Sequence, residues 1–258
     1  MNSTILTILG IAFIFFMTSL GSAIVFFFKK TLSAKFNALL IGFASGIMLA
    51  ASIWSLLLPA LNLTENYGKL SFIPALIGLI LGGVFLTLLD KLIPQSQNPC
   101  SQTSSNSKLM KLFIAITTHN IPEGLAVGFA FGAAVAAASN SAILSALGLA
   151  VGIGIQNFPE GASVSLPYAS LTKNRKTAFA LGVASGAVEP VFAVLGYFLA
   201  STLNIIQPWL LSFAAGAMIF VVSEELIPET QPDVNNHIGA WGVMIGFCLM
   251  MVLDIGLS

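Results

Sequence analysis

Apolar residues run along this chain in eight long blocks separated by short polar stretches. A membrane-crossing helix needs about 20 mostly apolar residues. Windows of that size fall at 4–28, 36–61, 72–93, 109–133, 141–168, 177–203, 208–228 and 239–257. The pattern predicts an all-α polytopic membrane protein of eight transmembrane helices, organised as one transmembrane domain over 1–258. Only Leu171–Lys176 separates spans five and six, and only Ala138–Ser141 separates spans four and five. The connection at 94–108 differs: Pro94–Ser107 is rich in Ser, Asn and Gln and reads as a flexible loop without a core of its own. A Lys pair rather than a small-residue cleavage site closes the first span, which is therefore expected to be retained.

Composition agrees with the pattern. The apolar set makes up 57% of the 258 residues and charged residues only 8%, with ten basic and ten acidic side chains cancelling; mean hydropathy is +0.95. A soluble globular enzyme, a basic nucleic-acid binder and a disordered scaffold are excluded. The lipid bilayer is the implied surrounding, and no nucleic-acid partner is expected. Cys100 and Cys248 provide neither a disulfide framework nor a paired thiolate ligand set.

The basic residues give an orientation. Lys29, Lys30 and Lys35 follow span one, Lys91, Lys108 and Lys111 flank the connection from three to four, and Lys173, Arg175 and Lys176 lie between five and six. Only Lys69 falls on the other side. By the positive-inside rule the shared face is cytoplasmic, so both termini are extracytoplasmic in a plasma (bacterial inner) membrane.

Two internal similarities follow. Phe43-Ala44-Ser45-Gly46-Ile47-Met48 in span two matches Phe213-Ala214-Ala215-Gly216-Ala217-Met218 in span seven. Gly78, Gly82 and Asp90 in span three recur at the same intervals as Gly242, Gly246 and Asp254 in span eight. Spans 1–3 thus resemble spans 6–8 but start from the opposite face. This predicts a 3+2+3 arrangement with inverted repeats, which places a substrate near the midplane.

Spans four and five carry the chemistry. Span four reads His119-Asn120-Ile121-Pro122-Glu123-Gly124 and span five reads Gln156-Asn157-Phe158-Pro159-Glu160-Gly161, both near mid-depth. Span six adds Glu189 before Pro190. Ionisable groups inside a membrane are costly and mark functional sites. His119 and Glu123 are four apart and share a helical face, as do Gln156 and Glu160. Pro122 and Pro159 each free a carbonyl four residues back and predict local kinks beside a cavity. Gly124 and Gly161 allow neighbouring helices to approach. No Lys or Arg occurs between Lys111 and Lys173, so the carboxylates lack a basic partner and are expected to be protonated or to take a cation. An imidazole with carboxylate and amide oxygens suits Zn²⁺, Fe²⁺ or Mn²⁺.

At these motifs the chain resembles the ZIP family of divalent-metal transporters, and within it the bacterial GufA-like branch, over nearly its whole length. The resemblance implies transport of Zn²⁺, and of Fe²⁺, Mn²⁺ or Cd²⁺, toward the cytoplasm as substrate, with no catalysis and no organic cofactor. It implies a binuclear centre: His119, Glu123, Gln156 and Glu160 match a first metal site, which Met48 of span two can join. Asn120, Glu123, Asn157, Glu160 and Glu189 match a second, with the two shared glutamates bridging. It also implies a homodimer. Two departures stand out. The loop after span three has no His, against the His-rich loop of many relatives, and an amide stands at Asn157 where some relatives have Asp, removing a negative charge from the second site.

Glu224, Glu225 and Glu229 at the end of span seven, followed by Asp233 and His237, form an expected exit relay; Asp90 and Asp254 read first as helix ends or hydrogen-bonding anchors. Two rivals stay open. A proton- or sodium-coupled carrier of a small solute would also use mid-membrane glutamates, and an intramembrane metallopeptidase would need a His-Glu-x-x-His pair that is absent.

Overall fold

The computed structural model describes residues 3–27, 33–92, 105–230 and 237–257. All regular structure among them is helical. We label the rods α1 (Ser3–Phe26), α2 (Ala34–Asn62), α3 (Phe72–Leu92), α4 (Ser105–Ala136), α5 (Asn140–Thr172), α6 (Arg175–Thr202), α7 (Gln207–Glu229) and α8 (Ile238–Leu257). Seven of them, all but α4, are long and apolar enough to cross a membrane. At 32 residues α4 has the length, but His119, Asn120 and Glu123 in its middle lower its hydropathy.

Polar caps set several boundaries. The Ser33 hydroxyl accepts from the Phe36 N–H at the start of α2, Ser139 from Ala142 before α5, and Asn174 from Thr177 before α6. Each satisfies an amide that the first turn leaves free. The expected loop at 94–108 is shorter at its far end, because the chain is already helical from Ser105. Ser105, Asn106 and Ser107 are polar residues that suit a first helical turn. Residues 93–104, which include Cys100, lie outside the described set, as do Lys29, Lys30 and Asp233.

Among the described residues, breaks in the regular helical pattern fall at three other places. The helical pattern continues through Pro122 and Pro159. Wide π-type turns occur instead at Ser52–Leu57 in α2 and Val222–Leu226 in α7, and α6 is interrupted at Ala187. A proline follows each: Pro59, Pro228 and Pro190. Each lacks the N–H for the carbonyl four residues back, and here the chain absorbs that loss by widening or breaking a turn.

Four helix pairs build the bundle: α1 with α5, α4 with α6, α2 with α8, and α3 with α7. The last two are built alike. A Cβ on Gly46 would meet the Val243 carbonyl oxygen at 2.0 Å, and one on Gly216 would meet that of Leu79 at 2.2 Å. These are matching positions of the two sequence repeats. The other two pairs show the same likeness, since Gly161 of α5 lies against the Thr18 carbonyl and Gly124 of α4 against that of Glu189. Such backbone-to-backbone approach is how helices associate where lipid supplies no hydrophobic drive. Ile47, Phe129, Phe131, Leu149, Ile153 and Met218 fill the interior. Large apolar side chains also cover the outside, among them Ile8 and Phe16 on α1, Ile80 on α3, Phe198 on α6 and Trp241 on α8. An apolar skin over an apolar core is what contact with lipid requires.

Candidate metal centre

The α4 and α5 motifs face each other deep in the bundle. Asn120, Glu123, Gln156, Asn157 and Glu189 are all 0–1% exposed. Glu123, Glu160 and Glu189 lie within electrostatic reach of one another. Among the described residues none of the three pairs with Lys or Arg. The lack of counter-cations read from the sequence therefore holds in three dimensions among the described residues.

The hydrogen bonds are ordered in one sense. Gln156 Nε2 donates to Glu123 Oε1 (2.5 Å), Asn157 Nδ2 to Glu189 Oε2 (2.9 Å), and Asn120 Nδ2 to the Ser185 carbonyl (2.9 Å). Every amide is tied by its nitrogen, because its neighbour is an acceptor. What remains is a set of buried oxygens without a donor: Asn120 Oδ1, Glu123 Oε2, Gln156 Oε1, Asn157 Oδ1 and Glu160 Oε1. Leaving one such group unsatisfied costs on the order of 1–3 kcal/mol. Five lone-pair donors within two short motifs offer a set of oxygens that a cation can satisfy.

A cavity of about 440 Å³ adjoins them, lined by Met48, His119, Glu123, Gln156, Glu160, Glu225 and Glu229 among others. It runs to Ala34 and Asn37 at the start of α2 and to Pro167 near the end of α5. Those helix ends carry Lys35 and Lys173. Asn120, Asn157 and Glu189 do not line it. The sequence-derived set is thus brought together in two layers, one on the cavity and one behind.

The acidic residues of α7 divide. Glu225 Oε2 lies 2.6 Å from His119 Nε2, so it reaches the centre itself rather than only the helix end. Glu229 lines the cavity, whereas Glu224 is exposed and does not. His237 is exposed before α8. Asp254 accepts from the Ser55 hydroxyl at 2.5 Å, a buried anchor between α8 and α2. Among the described residues no three His, Cys, Asp or Glu side chains form a ready-made cluster, since amides interleave with the carboxylates.

Sequence reasoning missed Thr18. Its hydroxyl donates to Glu189 Oε1 at 2.7 Å from α1, a helix with no acidic or basic residue to draw attention to it. It also missed the Ser185 carbonyl as the anchor of Asn120.

Comparison with known proteins gives the chain a family. The family model described as "ZIP Zinc transporter" matches residues 95–254. The chain is 35% identical to "Zinc transporter ZIP11" of Xenopus tropicalis, covering 98% of this chain and 97% of that one. It is also 35% identical to "Zinc transporter GufA" of Myxococcus xanthus over 88% of this chain and 89% of the relative. A third relative, "Zinc transporter ZIPB" of Bordetella bronchiseptica, is 34% identical over 97% of this chain and 81% of its own length.

Proposed function

The chain belongs to the ZIP family of zinc transporters, and we propose that it carries Zn²⁺ through the α4–α5 centre toward the cytoplasm. It is an integral membrane protein, a transporter and not an enzyme. One observation carries the reading: the donorless oxygens of Glu123, Gln156 and Glu160 belong to residues that line one cavity with His119 and Met48, and those of Asn120 and Asn157 lie behind it. His119, Glu123, Gln156 and Glu160 provide imidazole nitrogen and oxygen donors for the ion, with the Met48 thioether beside them. Such a set also accommodates Fe²⁺, Mn²⁺ and Cd²⁺ as further cargo.

The architecture supports an alternating-access route. With α4 as the eighth span, helices 1–3 and 6–8 form the inverted pair around α4 and α5. The matched contacts of Gly46 with Val243 and of Gly216 with Leu79 support that relation. The cavity reaches helix ends bearing Lys35 and Lys173, which the positive-inside rule assigns to the cytoplasm. In this conformation the centre then faces inward, with both termini outside.

The test is Zn²⁺ flux into proteoliposomes. The intact protein is expected to take up zinc, and His119→Ala to bring uptake close to that of empty vesicles, because it removes the only nitrogen donor of the set. No uptake of any divalent metal by the folded, intact protein would overturn the reading.

The relay has a separate consequence. Glu225 and Glu229 stand where an ion leaving His119 must pass, and Glu225 already touches that imidazole. Glu225→Gln is expected to lower the maximal uptake rate by roughly tenfold, the size typical of losing a partner of a metal ligand. The rate at saturating zinc is the readout, and an unchanged rate would remove Glu225 from the route.

A further inference from the structure

Glu189 differs from the other two acidic side chains of the centre. Both its oxygens are taken, Oε1 by Thr18 Oγ1 at 2.7 Å and Oε2 by Asn157 Nδ2 at 2.9 Å. Glu123 and Glu160 each keep an oxygen without a donor. Glu189 is also set back: it is fully buried and does not line the cavity. Four ligands that do, His119, Glu123, Gln156 and Glu160, already suffice for one ion.

Thr18 has a choice of acceptor. Its hydroxyl carries one proton, and two oxygens are in reach: Glu189 Oε1 at 2.7 Å and the Ile14 carbonyl at 3.2 Å. Rotation of the hydroxyl releases Glu189 without leaving Thr18 unsatisfied. The two residues hold equivalent places in the packing, since the Thr18 carbonyl rests on Gly161 and the Glu189 carbonyl on Gly124. Gly186 keeps the space between them clear: a Cβ there would meet Thr18 Cγ2 at 2.7 Å and Glu189 Oε1 at 3.2 Å.

Building on the zinc reading above, we propose that Thr18 is a positioning residue that holds Glu189 as a hydrogen-bond acceptor between α1 and α5. In this conformation zinc is then held as a single ion by the cavity-lining set. Glu189 is withheld from it, and the ion stays weakly enough bound to leave. The Asn157 amide makes this arrangement possible, because it donates to Glu189 where an aspartate would repel it.

Removing the hydroxyl leaves a buried carboxylate oxygen without a donor behind the cavity-lining ligands, which strengthens the negative field on zinc. Thr18→Val, equal in shape, is expected to bind zinc at least about threefold more tightly and to turn over more slowly by a similar factor. Thr18→Ser keeps the donor and should match the intact protein. Equilibrium binding of radioactive zinc to purified protein in detergent, paired with proteoliposome flux, reads both quantities. A defect in packing alone would slow flux without tightening binding.

The same change in a Glu189→Gln background is expected to tighten nothing, because the charge it would release is gone. Should Thr18→Val not fold, Thr18→Ala takes its place in the cycle. Unchanged or weaker binding in the hydroxyl-free variant, or equal tightening in both backgrounds, overturns the proposal while the zinc reading stands. An intact protein that binds no zinc overturns both.

Discussion

Glu123→Gln is expected to abolish zinc uptake while making the zinc-free protein harder to melt. The two effects have one origin. Glu123 is 1% exposed and within electrostatic reach of Glu160 and Glu189, and among the described residues no Lys or Arg pairs with any of them. Burying carboxylates without counter-cations is unfavourable for folding whether they are ionised or protonated. The amide keeps the shape and one carbonyl oxygen, so Gln156 Nε2 retains its acceptor. It removes a charge and an oxygen that has no donor, Glu123 Oε2. The zinc-free variant should therefore show a higher thermal midpoint in detergent than the intact protein.

Function moves the other way. Glu123 provides the carboxylate of α4 that faces the cavity beside His119, and uptake is expected to fall at least about 100-fold, the upper end seen even for outer-shell partners of a metal. Zinc should also stop stabilising the protein. An ion at 100 times its dissociation constant adds about 2.7 kcal/mol to the intact form, and a variant that cannot bind it gains nothing. Thermal scans with and without zinc, beside proteoliposome flux, check all three. A midpoint that drops in the variant would mean that Glu123 holds the fold together and is not a strained ligand.

The reach of the sequence follows the range of each interaction. Helix positions depend on composition over a turn or two, and the helix ends lie within about four residues of the expected bounds. The widest differences are at Ser105, where polar residues begin a helix instead of prolonging a loop, and at Thr172. The motifs of α4 and α5 were equally legible, because an unpaired intramembrane glutamate has few structural uses. Thr18 was not, since its role depends on α1 lying against α5 and α6 with a hydroxyl at one depth. Glu225 carried an acidic signal, but its contact with His119 depends on how α7 packs beside α4. The π-type turns at Ser52–Leu57 and Val222–Leu226 had a signal that went unread, the prolines at 59 and 228. Pro122 and Pro159 carried the same signal without the same result, so proline alone does not say where a helix yields.

A large structural effect is expected from a single methyl group at Gly161. Its Cβ would lie 2.1 Å from the Thr18 carbonyl oxygen and 2.8 Å from Ser22 Oγ. The first of these is backbone of α1, which cannot turn aside as a long side chain can. The two rods pack along most of their length, so relief means moving α1 as a body. Overpacking of this kind costs about 1–3 kcal/mol, occasionally more. Gly161→Ala also breaks the centre from outside, because displacing Thr18 withdraws the donor of Glu189 Oε1 and displacing Ser22 disturbs its bond to the Gly161 carbonyl. Little folded protein, a lowered thermal midpoint and no zinc flux should follow together. Gly256→Ala is the control: a Cβ there meets nothing within 4 Å, and alanine in an exposed helical turn adds about 0.5–1 kcal/mol over glycine. If both variants melted like the intact protein, α1 and α5 could not be as close as Gly161 and Thr18 place them, and the Thr18 hydroxyl would lose its route to Glu189.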